Sequence, residues 1–183
     1  CGGFIYTRKS IPANAISRYK YGMAVEEQSA GQRNKEPYNR FISMKFMICR
    51  DAFLKVRFDE TFHLGYEDTL FGMQLEQAGV EILHIDNPVY HLVEEKSEQF
   101  LMKIRRAVRN LDGHIEQMHS HVKLLRWYAC VKRLGMAPLV AFLFRQIEKR
   151  LVSNLTSRKP SLKLFAFYKL GYLCNFLSQK KPD

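Results

Sequence analysis

Hydrophobic positions along this chain change their spacing once, near residue 97. Before that point the pattern alternates between short extended and short helical signals. Residues 4–7 are aromatic and β-branched and predict a strand. Pro12 leads into a helical stretch over 13–28, with Ile16, Tyr19, Met23 and Val25 as its apolar positions. Residues 29–38 are polar, contain Gly31 and Pro37, and predict a loop. The apolar run 41–49 predicts a buried strand, and 51–56 a short helical turn. Residues 58–65 predict a loop carrying Asp59, Glu60 and His63. A helix follows over 67–78, with Leu70, Phe71, Leu75 and Ala78 on one face and Gly79 as its stop. Strands are predicted at 80–85 and 89–92, on either side of the turn Asp86-Asn87-Pro88.

From Ser97 onward the spacing is helical throughout. Phe100, Leu101, Ile104, Val108 and Leu111 repeat on one face until Gly113. Further helices are predicted at 115–134, 139–155 and 161–177, with breaks at Gly135–Pro138 and Lys159-Pro160. The expected fold class is therefore α+β over residues 1–96, followed by an all-helical region over 97–183, joined near 94–96.

Charge sharpens that division. Residues 1–96 hold 12 Lys/Arg against 13 Asp/Glu, whereas 97–183 hold 17 against 5. The net +11 thus belongs to the helical half, which should be drawn to anionic surfaces. A hydrophobic content of 46 % over 183 residues excludes a disordered chain and supplies one sizeable core. The four cysteines at 1, 49, 130 and 174 form no CxxC, which argues against a zinc site or disulfide framework and for a reducing, cytoplasmic setting. No signal peptide opens the chain, and its longest uncharged apolar run, 134–144, is too short for a bilayer span. The start Cys1-Gly2-Gly3-Phe4 reads as a loop entering a strand, without an initiator Met, so the chain is expected to be a piece of a longer protein.

The chemistry-bearing stretch is Phe58-Asp59-Glu60 followed by Gly65-Tyr66-Glu67-Asp68-Thr69-Leu70-Phe71-Gly72, then Gly79 and Asn87-Pro88-Val89-Tyr90-His91. Two carboxylates open a helix whose positive end favours their ionised form. Such a pair has two readings. It caps the helix, or it accepts a proton from a substrate hydroxyl.

The whole pattern resembles family-2 glycosyltransferases of the GT-A fold, over about residues 1–112. That resemblance implies the C-terminal, acceptor-side half of a GT-A-like mixed-sheet domain, lacking the nucleotide-binding half. It implies inverting transfer from a nucleotide-sugar donor to a saccharide or lipid-linked acceptor. Asp68 matches the family's general base, and Glu67 its acidic neighbour, which positions the acceptor or holds the helix start. His91 matches a metal- or diphosphate-contacting position, with a locally bonded strand-end histidine as the other reading. Gly2 and Gly3 match a close backbone approach to the sugar, or a plain turn. His63 and Tyr66 are candidate acceptor contacts, or core packing. The cofactor implied is Mg²⁺ or Mn²⁺.

Two features depart from the family. No Asp-x-Asp occurs in the chain, so it is expected to be inactive alone. Lys45 stands where a small or amide residue is usual. The helical half falls outside the resemblance. Its basic residues, interleaved with Phe142, Phe144, Phe165, Phe167, Tyr168 and Phe176, suit either helix packing or a peripheral contact with the inner face of a membrane. No nucleic-acid-binding module is legible, so nucleic acid is a weaker partner. A non-catalytic interaction module is the remaining alternative.

Overall fold

The computed structural model describes residues 1–7, 11–60, 62 and 65–180. Two short strands, β1 (Phe4–Tyr6) and β2 (Val89–His91), pair in parallel with Phe4 opposite Val89 and Tyr6 opposite His91. Nine α-helices accompany them among the described residues, with a π-helical turn at Gly22–Glu26 and a 3-10 turn at Tyr38–Arg40. They are α1 (Ile16–Tyr21), α2 (Ala30–Arg33), α3 (Arg50–Lys55), α4 (Glu67–Gln77), α5 (Ser97–Asn110), α6 (Ile115–Met118), α7 (Lys123–Arg133), α8 (Ala137–Leu155) and α9 (Leu162–Gln179).

The architecture is mostly helical, and this corrects the expected GT-A-like mixed sheet. Two predicted strands, 41–49 and 80–85, are irregular among the described residues. Both still run beside the N-terminal segment. Gly2 N–H donates to Lys45 O at 2.9 Å, Cys1 N to Leu83 O at 2.8 Å, and Ile85 N–H to Cys1 O at 3.0 Å. The ladder does not continue. Asp86-Asn87-Pro88 turns the chain away, and Pro88 has no N–H to give before β2 resumes. Segment 41–49 is instead held by its rings. Phe41, Phe46 and Phe58 gather around Phe71 of α4, with Phe58 stacked on Phe71 at 4.1 Å.

The helix expected over 115–134 is two helices, α6 and α7, separated at His119–Val122. The hairpin of α8 and α9 forms the platform of the helical half. Phe144, Leu151 and Leu155 of α8 meet Phe165 and Tyr168 of α9, with Phe100 and Leu101 of α5 completing that core. A second core joins Leu70 and Met73 of α4 to Val108 of α5, Leu125 of α7 and Leu173 of α9. Side chains from both sides of residue 96 therefore share the same cores, and α4 is set firmly against the helical half.

Candidate functional site

The start of α4 is shaped by two consecutive left-handed residues, Gly65 (φ +95°) and Tyr66 (φ +71°). For a residue with a side chain this conformation costs about 1–2 kcal/mol. Tyr66 is held there by its ring, which packs against the core formed by α4, α5, α7 and α9. Burial, and secondarily Tyr21, pushes its phenol far above the ordinary tyrosine value. The reversal at 65–66 sends the next two side chains in different directions.

Glu67 turns back on the loop, and Gly65 N–H donates to its Oε2. It thereby holds the helix start, and it also lines a cleft of about 460 Å³ with Arg18, His91, Glu95 and Lys103. Asp68 points towards the loop that follows Phe41. Ser43 N–H donates to its Oδ2 at 3.2 Å. Its other oxygen, Oδ1, is buried and has no hydrogen-bond partner among the described residues. Burial raises the Asp68 carboxyl above the usual carboxylate value. The Ser43 hydrogen bonds oppose that shift, and the Glu67 charge adds to it. Asp68 does not itself line the larger cleft, of about 610 Å³. Its neighbours Tyr66 and Thr69 do, as does Ile42 beside Ser43, so the carboxyl stands just behind that wall.

Gly2 and Gly3 are buried, and their close approach is to the protein itself. A side chain on Gly2 would overlap Asn87 O and the Lys45 stem. One on Gly3, at φ +73°, would overlap the Arg33 guanidinium. His63 lies outside the described residues. His91 sits beside Arg18, with Nε2 3.4 Å from Nη2, and packs on the rings of Phe4 and Tyr6. Burial, then Arg18, pushes it below the ordinary histidine value, while Glu26 and Glu95 oppose. A neighbouring guanidinium is a poor companion for a divalent cation. Among the described residues no three His, Cys, Asp or Glu side chains converge as ligands. Among the described residues, those around His91 do not fit a metal site.

Two further groups carry no motif. Arg33 is 3 % exposed and has no carboxylate in ion-pair contact among the described residues. Its Nε donates to His84 Nδ1 at 3.2 Å, Nη1 to Gln28 O at 2.9 Å, and Nη2 to Gly2 O at 3.2 Å and Ile85 O at 3.0 Å. Because Nδ1 of His84 accepts, Nε2 is left to donate to Pro37 O at 3.0 Å, which makes His84 neutral. Glu26, on a π-helical turn over Gly22–Glu26, accepts from Tyr6 Oη and, at 2.8 Å, from Arg18 Nη1.

Lys169 lines both clefts, with its Nζ 5.2 Å from the Tyr21 ring centre and 5.1 Å from that of Phe165. Burial pushes its ammonium down to about 8, Glu26 opposes, and Lys123 adds to the fall. The signal for these groups lay in pairings distant in sequence, such as Arg33 with His84, which no local pattern displays. Comparison with known protein families, curated proteins and solved structures gives no match.

Proposed function

We propose that this chain supplies the acceptor side of an inverting, nucleotide-sugar-dependent glycosyltransferase, with Asp68 as its general base. One observation carries the reading: the second residue of α4 holds a carboxyl with one oxygen fixed by Ser43 and the other unpartnered. A base needs that arrangement, one oxygen to set orientation and one to receive the proton. Partial burial strengthens it, because a carboxyl raised above its ordinary value holds a received proton more firmly.

In this reading the acceptor lies in the larger cleft, against Tyr66, Thr69 and Ile42. Because Asp68 stands behind that wall, this reading requires the wall to open towards its Oδ1 when the acceptor binds. The acceptor hydroxyl gives its proton to Oδ1, and its oxygen attacks the anomeric carbon. The bond to the diphosphate breaks with its electron pair leaving on the nucleoside diphosphate. Glu67 acts by fixing the Gly65–Tyr66 reversal. The saccharide or lipid-linked nature of the acceptor follows from the sequence resemblance, as does the donor.

The test joins this chain to a nucleotide-sugar-binding domain and measures nucleoside diphosphate release over a panel of donors and acceptors. Asp68→Asn should lower transfer by about 10²–10⁴-fold. Equal rates in the two proteins reject the assignment.

A further inference from the structure

Helices α7 and α8 meet at an elbow of 115°, and its outer surface is apolar and uncovered. The turn is tightly made. Met136 N–H donates to Val131 O at 3.0 Å, Gly135 N–H to Lys132 O at 3.0 Å, and Gly135 takes φ +69°. These two bonds form a Schellman stop to α7, and Pro138 then opens α8. On the inner side Leu124, Leu125, Val140, Ala141 and Phe144 are buried. On the outer side Leu134, Met136, Leu139, Phe142 and Leu143 are 43–62 % exposed, while Trp127, 57 % exposed, also lines the larger cleft. Five large apolar side chains within ten residues of one corner form a surface of the kind that marks an interaction site.

Charge identifies the partner. Residues 123–147 contain Lys123, Arg126, Lys132, Arg133 and Arg145 and not one Asp or Glu. An apolar corner whose own segment, 123–147, carries charges of basic sign alone is complementary to an anionic phospholipid surface. Spanning is a poorer fit. Among the described residues no single helix is long and apolar enough to cross a membrane, and α7 and α8 reach the needed length only together, across their bend. Lys132 and Arg133 stand at the corner itself, where hydrocarbon depth would strand their charges. At headgroup depth they meet phosphates while the apolar side chains reach the acyl boundary.

We infer that the α7–α8 elbow seats the protein on an anionic phospholipid surface. This inference does not rest on the glycosyl-transfer reading, since it invokes no role for Asp68, although Lys123, Arg126 and Trp127 also line the larger cleft. Trp127 is the chain's single tryptophan, on α7 about two turns before Leu134, and serves as the fluorescence reporter. The experiment floats the full chain with vesicles of phosphatidylcholine alone and of phosphatidylcholine with an equal part of phosphatidylglycerol, recording Trp127 emission. Binding to the second vesicle only, with a blue shift, is the expected result.

Leu139→Ser with Phe142→Ser, and separately Lys132→Glu with Arg133→Glu, should each weaken the partition at least about tenfold. All four positions are exposed, so an unchanged thermal midpoint is the folding control. Absence of binding by the wild-type chain overturns the inference. So does binding that both double variants retain. Self-association through the elbow, or retention of duplex DNA, without vesicle binding assigns the surface to another partner and equally overturns it.

Discussion

Arg33 and Gly3 compete for one volume: the guanidinium fills the space that a side chain on residue 3 would need. Gly3 also lies at φ +73°, a conformation that favours glycine. Gly3→Ala should therefore destabilise by about 2–4 kcal/mol, combining backbone strain with displacement of a buried cation. Arg33→Lys should cost about 2–3 kcal/mol, because one ammonium cannot reach His84, Gln28, Gly2 and Ile85 together. Urea unfolding measures both. A double variant less destabilised than the sum of the singles identifies the shared volume.

Asp68→Asn should leave the fold as stable as the wild type at neutral pH, or about 0.5–1 kcal/mol more stable. Burial raises the folded carboxyl above its unfolded value, so the folded state holds that proton to higher pH. Stability from this group is full in acid, below the unfolded value, and declines as pH rises through the folded one. The amide keeps an acceptor for Ser43 N–H and carries no charge to bury. Thermal melts from pH 4 to pH 8 check the sign: the advantage of Asp68→Asn over wild type should grow with pH.

Lys169 gives the opposite slope. Its folded value, about 8, lies below that of an unfolded lysine, so the unfolded chain binds the extra proton. Stability should rise from pH 8 towards pH 9.5 in the wild type, by an amount on the order of 1–2 kcal/mol. Lys169→Met should lack that rise. Differences between the two proteins, rather than either curve alone, isolate the lysine from tyrosines that titrate in the unfolded chain above it.

Thiol labelling checks the α8–α9 contact. Cys49 and Cys130 are exposed and should react at once. Cys174 is buried beside Val140 and Ala141, and burial pushes its thiol up to about 11. It should react only as the protein unfolds, and its labelling rate should follow the denaturant dependence of unfolding.

What the sequence displayed and what it concealed divide along the range of the interactions involved. Helix α4 was legible because its start, apolar face and stop are local. Val80 N–H to Leu75 O and Gly79 N–H to Glu76 O, both at 3.0 Å, close it where Gly79 stands in the sequence. The helical half was legible for the same reason, apart from the break between α6 and α7, where His119, Ser120 and His121 interrupt the apolar face. The strands at 41–49 and 80–85 were misread because apolar content does not distinguish pairing from ring packing. Phe41 and Phe46 bury themselves on Phe71 without a continuous ladder. The carboxylate pair Glu67-Asp68 was legible as a pair, but not the separation of its members, which depends on the backbone reversal before them. Arg33 with His84, 51 residues apart, had no local trace at all.

The left-handed turn at Tyr66 couples two events that would otherwise be separate. Its backbone is tolerated only while the ring stays packed, and the two acidic side chains take their opposed headings from that same backbone. A movement that drew the aromatic group from its seat would let the turn relax and re-aim both carboxylates at once. The seat of the Tyr66 ring and the headings of Glu67 and Asp68 are thus tied to one short piece of backbone.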